Sequence, residues 1–268
     1  MRICYPCKMN PEESEAAVPG EAPGKGKVPA FLAHGLLNND LDLEALALEF
    51  ADTGATQVEQ ALRPEVADRL HDCLAREVPW ALTFRDHSGA RKLWKEELAA
   101  LDAATRAGLD SEIEEIARKE FQFRYDSFMM VTAYKEKRLT DLILHRVIEQ
   151  INSPGWLDAM RTITGFSSIR RSDAQATRYV AGHFLRQHND SNEEEGRLCA
   201  YVINLTRDWR ADWGGLLQIL DDEGEVTRTL MPRFNTISLF RVPTYHCVSP
   251  VASFATGARY AITGWLRT

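Results

Sequence analysis

The sequence predicts a mainly β fold with added helices: a double-stranded β-helix of the jelly-roll, cupin-like kind, buttressed by N-terminal helices. Apolar residues recur at helical steps as far as about residue 165. From about residue 170 the pattern changes to eight short apolar runs separated by turns. With 268 residues, 44% of them hydrophobic, the chain can bury a sizeable core. We expect residues 1–39 to form a mobile tail and residues 40–268 a single domain, with helical support over 40–169 and the barrel over 170–268.

The predicted helices are marked by spacing and by the residues that begin them. Apolar residues recur at three- and four-residue steps over 43–50 and again over 66–74, and Pro64 suits the first turn of the second helix. Ser111 and Glu114 have the spacing of a capping box, so a helix is expected to begin there. Two further helices are predicted at 141–151 and 156–163. Their apolar faces need a surface to cover, and the barrel provides it.

The predicted strands are short and rich in β-branched and aromatic residues. They lie at 176–181, 184–187, 197–205, 216–220, 226–230, 236–240, 247–251 and 260–266. Gly, Pro and Asp residues separate these runs, as at Gly214-Gly215 and 221–224. Eight strands at this spacing favour two Greek-key sheets that form a flattened barrel.

Composition excludes several classes of function. The net charge is −7 and there is no dense block of Lys and Arg, so nucleic acid is a poor partner. The first residues lack the apolar core of a signal peptide, and no apolar stretch is long enough to span a bilayer. The chain has five cysteines, an odd number that cannot all pair, so no disulfide framework is predicted. Cys4 and Cys7 form half of a zinc motif without a second pair, and their role stays open. We therefore expect a cytoplasmic protein without a membrane partner.

One histidine pattern points to a metal. His188 is followed two residues later by Asp190, and in an extended segment residues two apart point to the same side. His246, at the beginning of a later strand, would complete a two-histidine, one-carboxylate triad, which leaves open positions on iron(II). His183 stands five residues before His188 and is expected to face the other way. Alone, the pair is equally consistent with an exposed loop, and His246 with a buried structural histidine.

The last predicted strand carries a charged residue on an inward face. Arg259, Thr263 and Trp265 alternate onto one face of this strand. An arginine that points into an apolar barrel is costly unless it meets a carboxylate, and no acidic residue lies nearby in the sequence. A small dicarboxylate ligand would supply one. The alternative is a surface arginine on an edge strand.

Taken together, these motifs resemble a known family. They stand in one order along the chain: 178–190, 201–204, 208–209, 214–216, 235–240, 246–249 and 259–265. This order resembles the prolyl-hydroxylase branch of the iron(II)- and 2-oxoglutarate-dependent oxygenases, close to the hypoxia-sensing and ribosomal-protein prolyl hydroxylases. The resemblance covers residues 170–268, and the helical part fits in kind only.

The resemblance implies specific roles. His188, Asp190 and His246 would hold iron(II), and Arg259 would bind the distal carboxylate of 2-oxoglutarate, helped by Tyr179 and Thr263. O2 would be the oxidant and ascorbate the reductant. Collagen-type relatives have lysine at the Arg259 position, so the arginine favours the sensor and ribosomal branches. The expected substrate is a prolyl residue within a protein or peptide, with the translation machinery as the first candidate.

Other functions remain as alternatives. The same chemistry on a free amino acid or another small metabolite is the main one. Nucleic-acid demethylation is a further alternative, but the net charge of the chain is acidic. Oxygenases that demethylate nucleic acids also have a second arginine shortly after the one that binds 2-oxoglutarate, and the stretch 260–265 has none. A non-catalytic jelly roll that only binds a ligand gains nothing from a complete triad.

Overall fold

A computed structural model describes Pro29, residues 32–192 and residues 194–268. Cys4, Cys7 and most of the predicted tail lie outside these residues. The predicted tail is too long at its end, because Leu32 and Leu36 are buried in the core, with exposed fractions of 1% and 3%. The backbone N–H of Asn38 also donates a hydrogen bond to the carbonyl of Ala61. The folded part therefore begins before residue 40.

Seven α-helices are present in the described residues. They are α1 (Leu43–Thr53), α2 (Pro64–Arg76), α3 (Lys95–Ala100), α4 (Ala103–Lys119), α5 (Met130–Lys135), α6 (Leu144–Gln150) and α7 (Pro154–Thr164). Pro64 begins α2, as predicted. The predicted helix start at Ser111 is wrong, because α4 begins at Asp102, whose side chain accepts a hydrogen bond from the Thr105 N–H. The first two turns of α4 are largely exposed, so their sequence lacks an apolar pattern that would reveal them.

Thirteen antiparallel strands form one sheet that folds into a nearly closed barrel within the described residues. They are β1 (Ala55–Glu59), β2 (Ala81–Asp86), β3 (Gly89–Trp94), β4 (Phe123–Phe128), β5 (Arg171–Ser172), β6 (Gln175–Tyr179), β7 (Phe184–His188), β8 (Arg197–Asn204), β9 (Leu217–Leu220), β10 (Val226–Leu230), β11 (Thr236–Arg241), β12 (His246–Val248) and β13 (Arg259–Arg267).

The eight strands of the barrel form two halves. One half has the order β11-β8-β13-β6 and the other β7-β12-β9-β10, and β4 joins them by pairing with both β6 and β7. All eight correspond to predicted strands, so the jelly-roll prediction is confirmed. Inward residues of both halves meet in shared clusters, as Ala200 and Phe240 do with Leu217. The barrel interior is therefore lined by both halves.

Four strands lie in the segment that was predicted to be helical. β1 pairs with β11 along its whole length and extends one half of the barrel. β2 and β3 form a hairpin, and β2 pairs with β4. These strands are short and stand between helices, so helical periodicity on either side obscured them.

Helices α1, α2, α5, α6 and α7 cover the outer face of the β11-β8-β13-β6 half, whereas α3 and α4 pack on β2 and β3. Outward residues such as Ile203, Ile237 and Ile262 belong to the same buried cluster as Leu70 of α2 and Met160 of α7. Side chains alternate across each strand, so burying one face against helices leaves the other face for the interior.

Among the described residues, no helix has the length and apolar character needed to cross a membrane.

Candidate active site

A cavity of about 790 Å³, including its open mouth, lies between the two halves of the barrel. Six side chains that line it are the residues singled out from the sequence: Tyr179, His188, Asp190, His246, Arg259 and Thr263. The structure therefore brings all six predicted site residues to one cavity.

Two adjacent strands place the histidines and the carboxylate. His188 ends β7 and His246 begins β12, and the two residues are direct partners in the antiparallel register. Asp190 follows in a left-handed backbone conformation, with φ of 58°. His188 Nε2 lies 3.3 Å from Asp190 Oδ1, and His246 Nε2 lies 3.5 Å from Asp190 Oδ2. The three ligand atoms lie within 4.8 Å of one another, and all three residues are buried.

A β-bulge turns His188 inward. His246 pairs with His188, but Val248 pairs with Leu185, so β7 has one extra residue in this interval. The bulge places Leu185 and His188 on the same, inward side although they are three residues apart. His183 lies outside the cluster, and its Nδ1 lies 3.4 Å from the Arg178 carbonyl.

Backbone carbonyls fix the tautomer of both histidines. Nδ1 of His188 lies 2.9 Å from the Arg186 carbonyl, and Nδ1 of His246 lies 2.8 Å from the Thr244 carbonyl. A carbonyl only accepts hydrogen bonds, so each Nδ1 carries the proton and each Nε2 keeps its lone pair. Both lone pairs belong to the nitrogens that face Asp190. This outer support is typical of metal-binding histidines.

Electrostatics keep the cluster in the protonation state that a metal requires. Burial alone would raise the pKa of Asp190, but His188 and His246 beside it, together with Arg197, lower that pKa below its usual range. Burial, reinforced by the neighbouring His188, lowers the pKa of His246 to about 4. At neutral pH the site therefore presents an ionised carboxylate and a neutral imidazole, and metal binding needs no deprotonation there.

Arg259 is a buried cation without a carboxylate partner among the described residues. It is 3% exposed. Its Nη1 donates a 2.8 Å hydrogen bond to the Gly215 carbonyl, whereas Nε is buried without a partner. Burial lowers the pKa of Arg259. A buried guanidinium is stable only when its charge is compensated, so the anionic end of a ligand fits here.

Tyr179 and Thr263 occupy different levels of the cavity. Tyr179 pairs with Arg259 in the register, and the guanidinium carbon lies 5.2 Å from the centre of the Tyr179 ring. Thr263 stands four residues further along β13, which places its Cα about 13 Å from that of Arg259. It lies one inward position from Trp265, whose indole N–H donates a 3.0 Å hydrogen bond to Asp190. Tyr179 is thus beside the arginine, and Thr263 lies further along the strand, one inward position from Trp265.

An aromatic wall of the cavity was missed in the sequence. Phe121, Phe123 and Tyr125 line the cavity from β4 and the residues just before it. The Phe121 ring centre lies 5.3 Å from that of His188, and Tyr125 stacks on Tyr179 at 5.2 Å. The signal was available: aromatic residues at 121, 123 and 125 alternate with period two, as in a half-buried strand.

The donor set fits one kind of metal centre. Two imidazole nitrogens and one carboxylate form the facial triad that suits iron(II) and leaves further positions open for ligands. The unpaired buried nitrogen of Arg259 in the same cavity suits a carboxylate end of 2-oxoglutarate. Fold and site together therefore fit an iron(II) centre beside a pocket for a carboxylate, as in the iron(II)- and 2-oxoglutarate-dependent oxygenases.

Comparison with known families agrees with this class. Residues 174–267 match the family model of the 2OG-Fe(II) oxygenase superfamily. The matched segment runs from β6 to the end of β13 and contains every residue of the predicted site. The match covers about a third of the chain, and this third carries most of the residues that line the cavity.

The chain is also similar to curated relatives. It is 31% identical over 117 residues to the prolyl 3-hydroxylase OGFOD1 of Xenopus laevis. The aligned segment covers 41% of this chain and 22% of that protein. It is 32% identical over 110 residues to the prolyl 3-hydroxylase OGFOD1 of Mus musculus, covering 38% of this chain and 20% of that protein. The chain thus spans about a fifth of the length of these relatives.

Two solved structures share the fold at low sequence identity. A Pseudomonas putida prolyl-4-hydroxylase superposes with a TM-score of 0.50 and 17% identity, over 84% of this chain and 98% of that one. A 2OG-Fe(II) oxygenase-family oxidoreductase from Burkholderia pseudomallei superposes with a TM-score of 0.53 and 14% identity, over 85% and 92% of the two chains. Both superpositions include the N-terminal helices as well as the barrel.

Proposed function

We propose that this protein is an iron(II)- and 2-oxoglutarate-dependent oxygenase that hydroxylates a prolyl residue in a protein or peptide, with release of succinate and CO2. The observation that carries the proposal is the presence of the His188, Asp190 and His246 cluster and the unpaired Arg259 in one cavity. A metal site alone would not select a cosubstrate. A metal site that shares its cavity with a buried guanidinium favours a molecule that binds the metal at one end and presents a carboxylate to the guanidinium at the other.

The residues of the chain divide the work of binding. His188, Asp190 and His246 would hold the metal, and when bound, iron(II) supplies the open positions at which 2-oxoglutarate and O2 react and a C–H bond is hydroxylated. Arg259 would bind the distal carboxylate through its planar fork, and the Tyr179 ring supports the guanidinium. Phe121, just before β4, and the rings of Phe123 and Tyr125 on β4 exclude water from the reacting end of the cavity.

The substrate follows from similarity. The curated relatives are prolyl 3-hydroxylases and one solved structure with this fold is a prolyl-4-hydroxylase, which supports proline as the target and leaves the choice of carbon to experiment. A prolyl residue can reach a buried metal only from an exposed loop or turn, where proline is common. Loops of ribosomal proteins and elongation factors are the first substrates we would test. The three described cysteines are free thiols, which fits the proposed cytoplasmic location.

The experiment is a hydroxylation assay. Purified protein is incubated with iron(II), 2-oxoglutarate, ascorbate and O2 against proline-containing loop peptides, and succinate is measured together with peptide mass. We expect succinate release coupled to a gain of about 16 daltons on proline, the mass of the one oxygen atom inserted. Chromatography of hydrolysed peptide against 3- and 4-hydroxyproline standards identifies the carbon.

Two controls define the alternatives. Asp190→Ala should release no succinate above background with any peptide, because the triad then has two ligands. Free proline and other small metabolites form a parallel panel. Efficient turnover of a small metabolite without peptide modification would contradict the protein substrate and leave the oxygenase class intact. No succinate with iron(II) and 2-oxoglutarate under any condition would contradict the class itself.

A further inference from the structure

A connected group of buried and partly buried charges extends from Asp190 away from the cavity. The side chain of Arg197 is 1% exposed, and its Nε and Nη2 each lie 2.7 Å from Oε2 of Glu195. The same oxygen lies 2.9 Å from Nη2 of Arg267, which also contacts Asp173. Three carboxylates and two guanidiniums are therefore linked behind the metal-binding cluster. Burying the Arg197 guanidinium is costly, so its full set of partners calls for a role besides packing.

Trp265 links this group to Asp190. The guanidinium carbon of Arg197 lies 3.7 Å from the centre of the Trp265 ring. The indole N–H of Trp265 donates a 3.0 Å hydrogen bond to Asp190 Oδ2, and its backbone N–H donates a 2.8 Å hydrogen bond to Asp173 Oδ1. The indole is thus fixed from its ring face by Arg197 and from its backbone by Asp173. Its donor is held on one oxygen of the carboxylate.

Arg197 also contacts Asp190 directly. Its Nη1 donates a 3.3 Å hydrogen bond to the Asp190 carbonyl and lies 3.9 Å from Oδ1. Asp190 has a φ of 58°, a conformation that costs a non-glycine residue on the order of 1 kcal/mol or more. Such a conformation persists only where the surroundings hold it. Here Arg197 holds the backbone and Trp265 holds the side chain.

We infer that Arg197 is a positioning residue for the metal ligand Asp190, acting through the Asp190 carbonyl and through Trp265, with Glu195 and Arg267 fixing its guanidinium. The inference rests on the proposed function, in which Asp190 binds the metal. Glu195 lies 2.7 Å from the Arg197 guanidinium and balances its charge, so the arginine can hold Asp190 without strongly disfavouring a cation there. All three nitrogens of the Arg197 guanidinium are engaged within the protein, which leaves it poorly placed to bind substrate.

The test compares two substitutions of Arg197 with a matched control. Arg197→Met removes the charge and the hydrogen bonds, and Arg197→Lys keeps the charge without the planar fork. The control is Arg178→Met. Arg178 also combines an ion pair, 2.8 Å to Asp126, with a tryptophan ring, 5.4 Å to Trp80, but it does not contact the cluster. Cobalt(II) serves as the probe, because its visible absorption reports both binding and coordination geometry.

We expect Arg197→Met to weaken cobalt(II) binding by about 10- to 100-fold, the usual effect of removing outer support from a metal ligand, and to change the cobalt(II) spectrum. Arg197→Lys should recover part of the affinity, and Arg178→Met should bind cobalt(II) as the wild type does. If Arg197→Met does not fold, Glu195→Gln is the substitute. It leaves Arg197 in place but weakens its anchor, and should shift affinity and spectrum in the same direction.

Three results would overturn the inference. One is wild-type cobalt(II) affinity and spectrum in Arg197→Met. Another is an equal loss of affinity in Arg178→Met, which would indicate general destabilisation. The third is a raised KM for a peptide substrate with unchanged metal binding, which would assign Arg197 to substrate. Failure of the proposed function is distinguishable: a different substrate would leave cobalt(II) binding and its dependence on Arg197 unchanged, and a protein without the metal site would show no cobalt(II) bound in the wild type.

Discussion

Replacing Arg259 should separate the binding of the cosubstrate from the stability of the fold. In the structure Arg259 is 3% exposed, donates one hydrogen bond to Gly215 and keeps Nε without a partner. The metal-free, cosubstrate-free protein therefore bears the cost of a buried charge that no described carboxylate compensates. We expect Arg259→Met to lose affinity for 2-oxoglutarate while the ligand-free protein keeps its stability or gains some.

The magnitude follows from the pair that would be broken. Removing one partner of a buried ion pair costs about 3–5 kcal/mol, and about 1.4 kcal/mol corresponds to a tenfold change in affinity. The dissociation constant of 2-oxoglutarate should therefore rise by about 10²- to 4 × 10³-fold in Arg259→Met. Arg259→Lys should show a smaller loss, because lysine keeps the charge but lacks the fork that binds both carboxylate oxygens.

The assay is calorimetric titration of 2-oxoglutarate into protein loaded with manganese(II), which replaces iron(II) without supporting oxidation. Thermal unfolding without ligand provides the stability of each variant. Unchanged affinity in Arg259→Met would refute the assignment of the guanidinium to the cosubstrate. A large loss of stability in the ligand-free variant would refute the view that the charge is uncompensated.

Three further predictions concern the same site and its surroundings. His246→Ala should abolish iron(II)-dependent succinate release while thermal unfolding in the absence of metal stays close to wild type, and retained activity would move the third ligand elsewhere. Tyr179→Phe should weaken 2-oxoglutarate binding by about tenfold, the effect of one hydrogen bond. Thr263→Val should weaken it less, because Thr263 lies further from Arg259. A larger effect of Thr263→Val in the same titration would reverse these roles. Burial, with Arg124 and Arg178 nearby, lowers the pKa of His183 from 6.5 to about 4, so the unfolded chain takes up a proton between these values and the folded one does not. The free energy of unfolding of the wild type should therefore fall as the pH is lowered from 6.5 to 4. In denaturant titrations of His183→Leu this fall should be smaller than in the wild type, by up to about 3 kcal/mol. Equal falls in the two proteins would contradict this prediction.

The barrel was predictable because its strands are half-buried. In the β11-β8-β13-β6 half one face of each strand packs on helices, and in both halves the other face lines the interior, so short runs bounded by turns mark all eight strands. The metal-binding cluster was predictable for a similar reason: His188 and Asp190 are close in the sequence, and His246 begins a strand. Their convergence on one point then depends on the register of β7 and β12.

The remainder required three-dimensional information. The β-bulge in β7 determines that Leu185 and His188 share a side, and nothing in the local sequence marks an extra residue there. Strand β4 joins the two halves by pairing with β6 and β7, which lie on either side of it in space but more than forty residues away along the chain. Its alternating aromatic residues were readable, yet their place in the cavity was not. Arg197 likewise acquires its contacts only from the fold.

The most direct test of the central claim is whether the metal-binding cluster and Arg259 bind the two ends of one molecule. Affinity for 2-oxoglutarate is measured by calorimetry with and without manganese(II), and succinate, which has a carboxylate for Arg259 but no keto group for a metal, is measured in the same way. We predict that manganese(II) tightens 2-oxoglutarate binding by at least about 100-fold, as expected from a few kcal/mol of added interaction, and leaves succinate binding nearly unchanged. Equal binding of 2-oxoglutarate with and without the metal, or the same metal dependence for succinate, would contradict the claim.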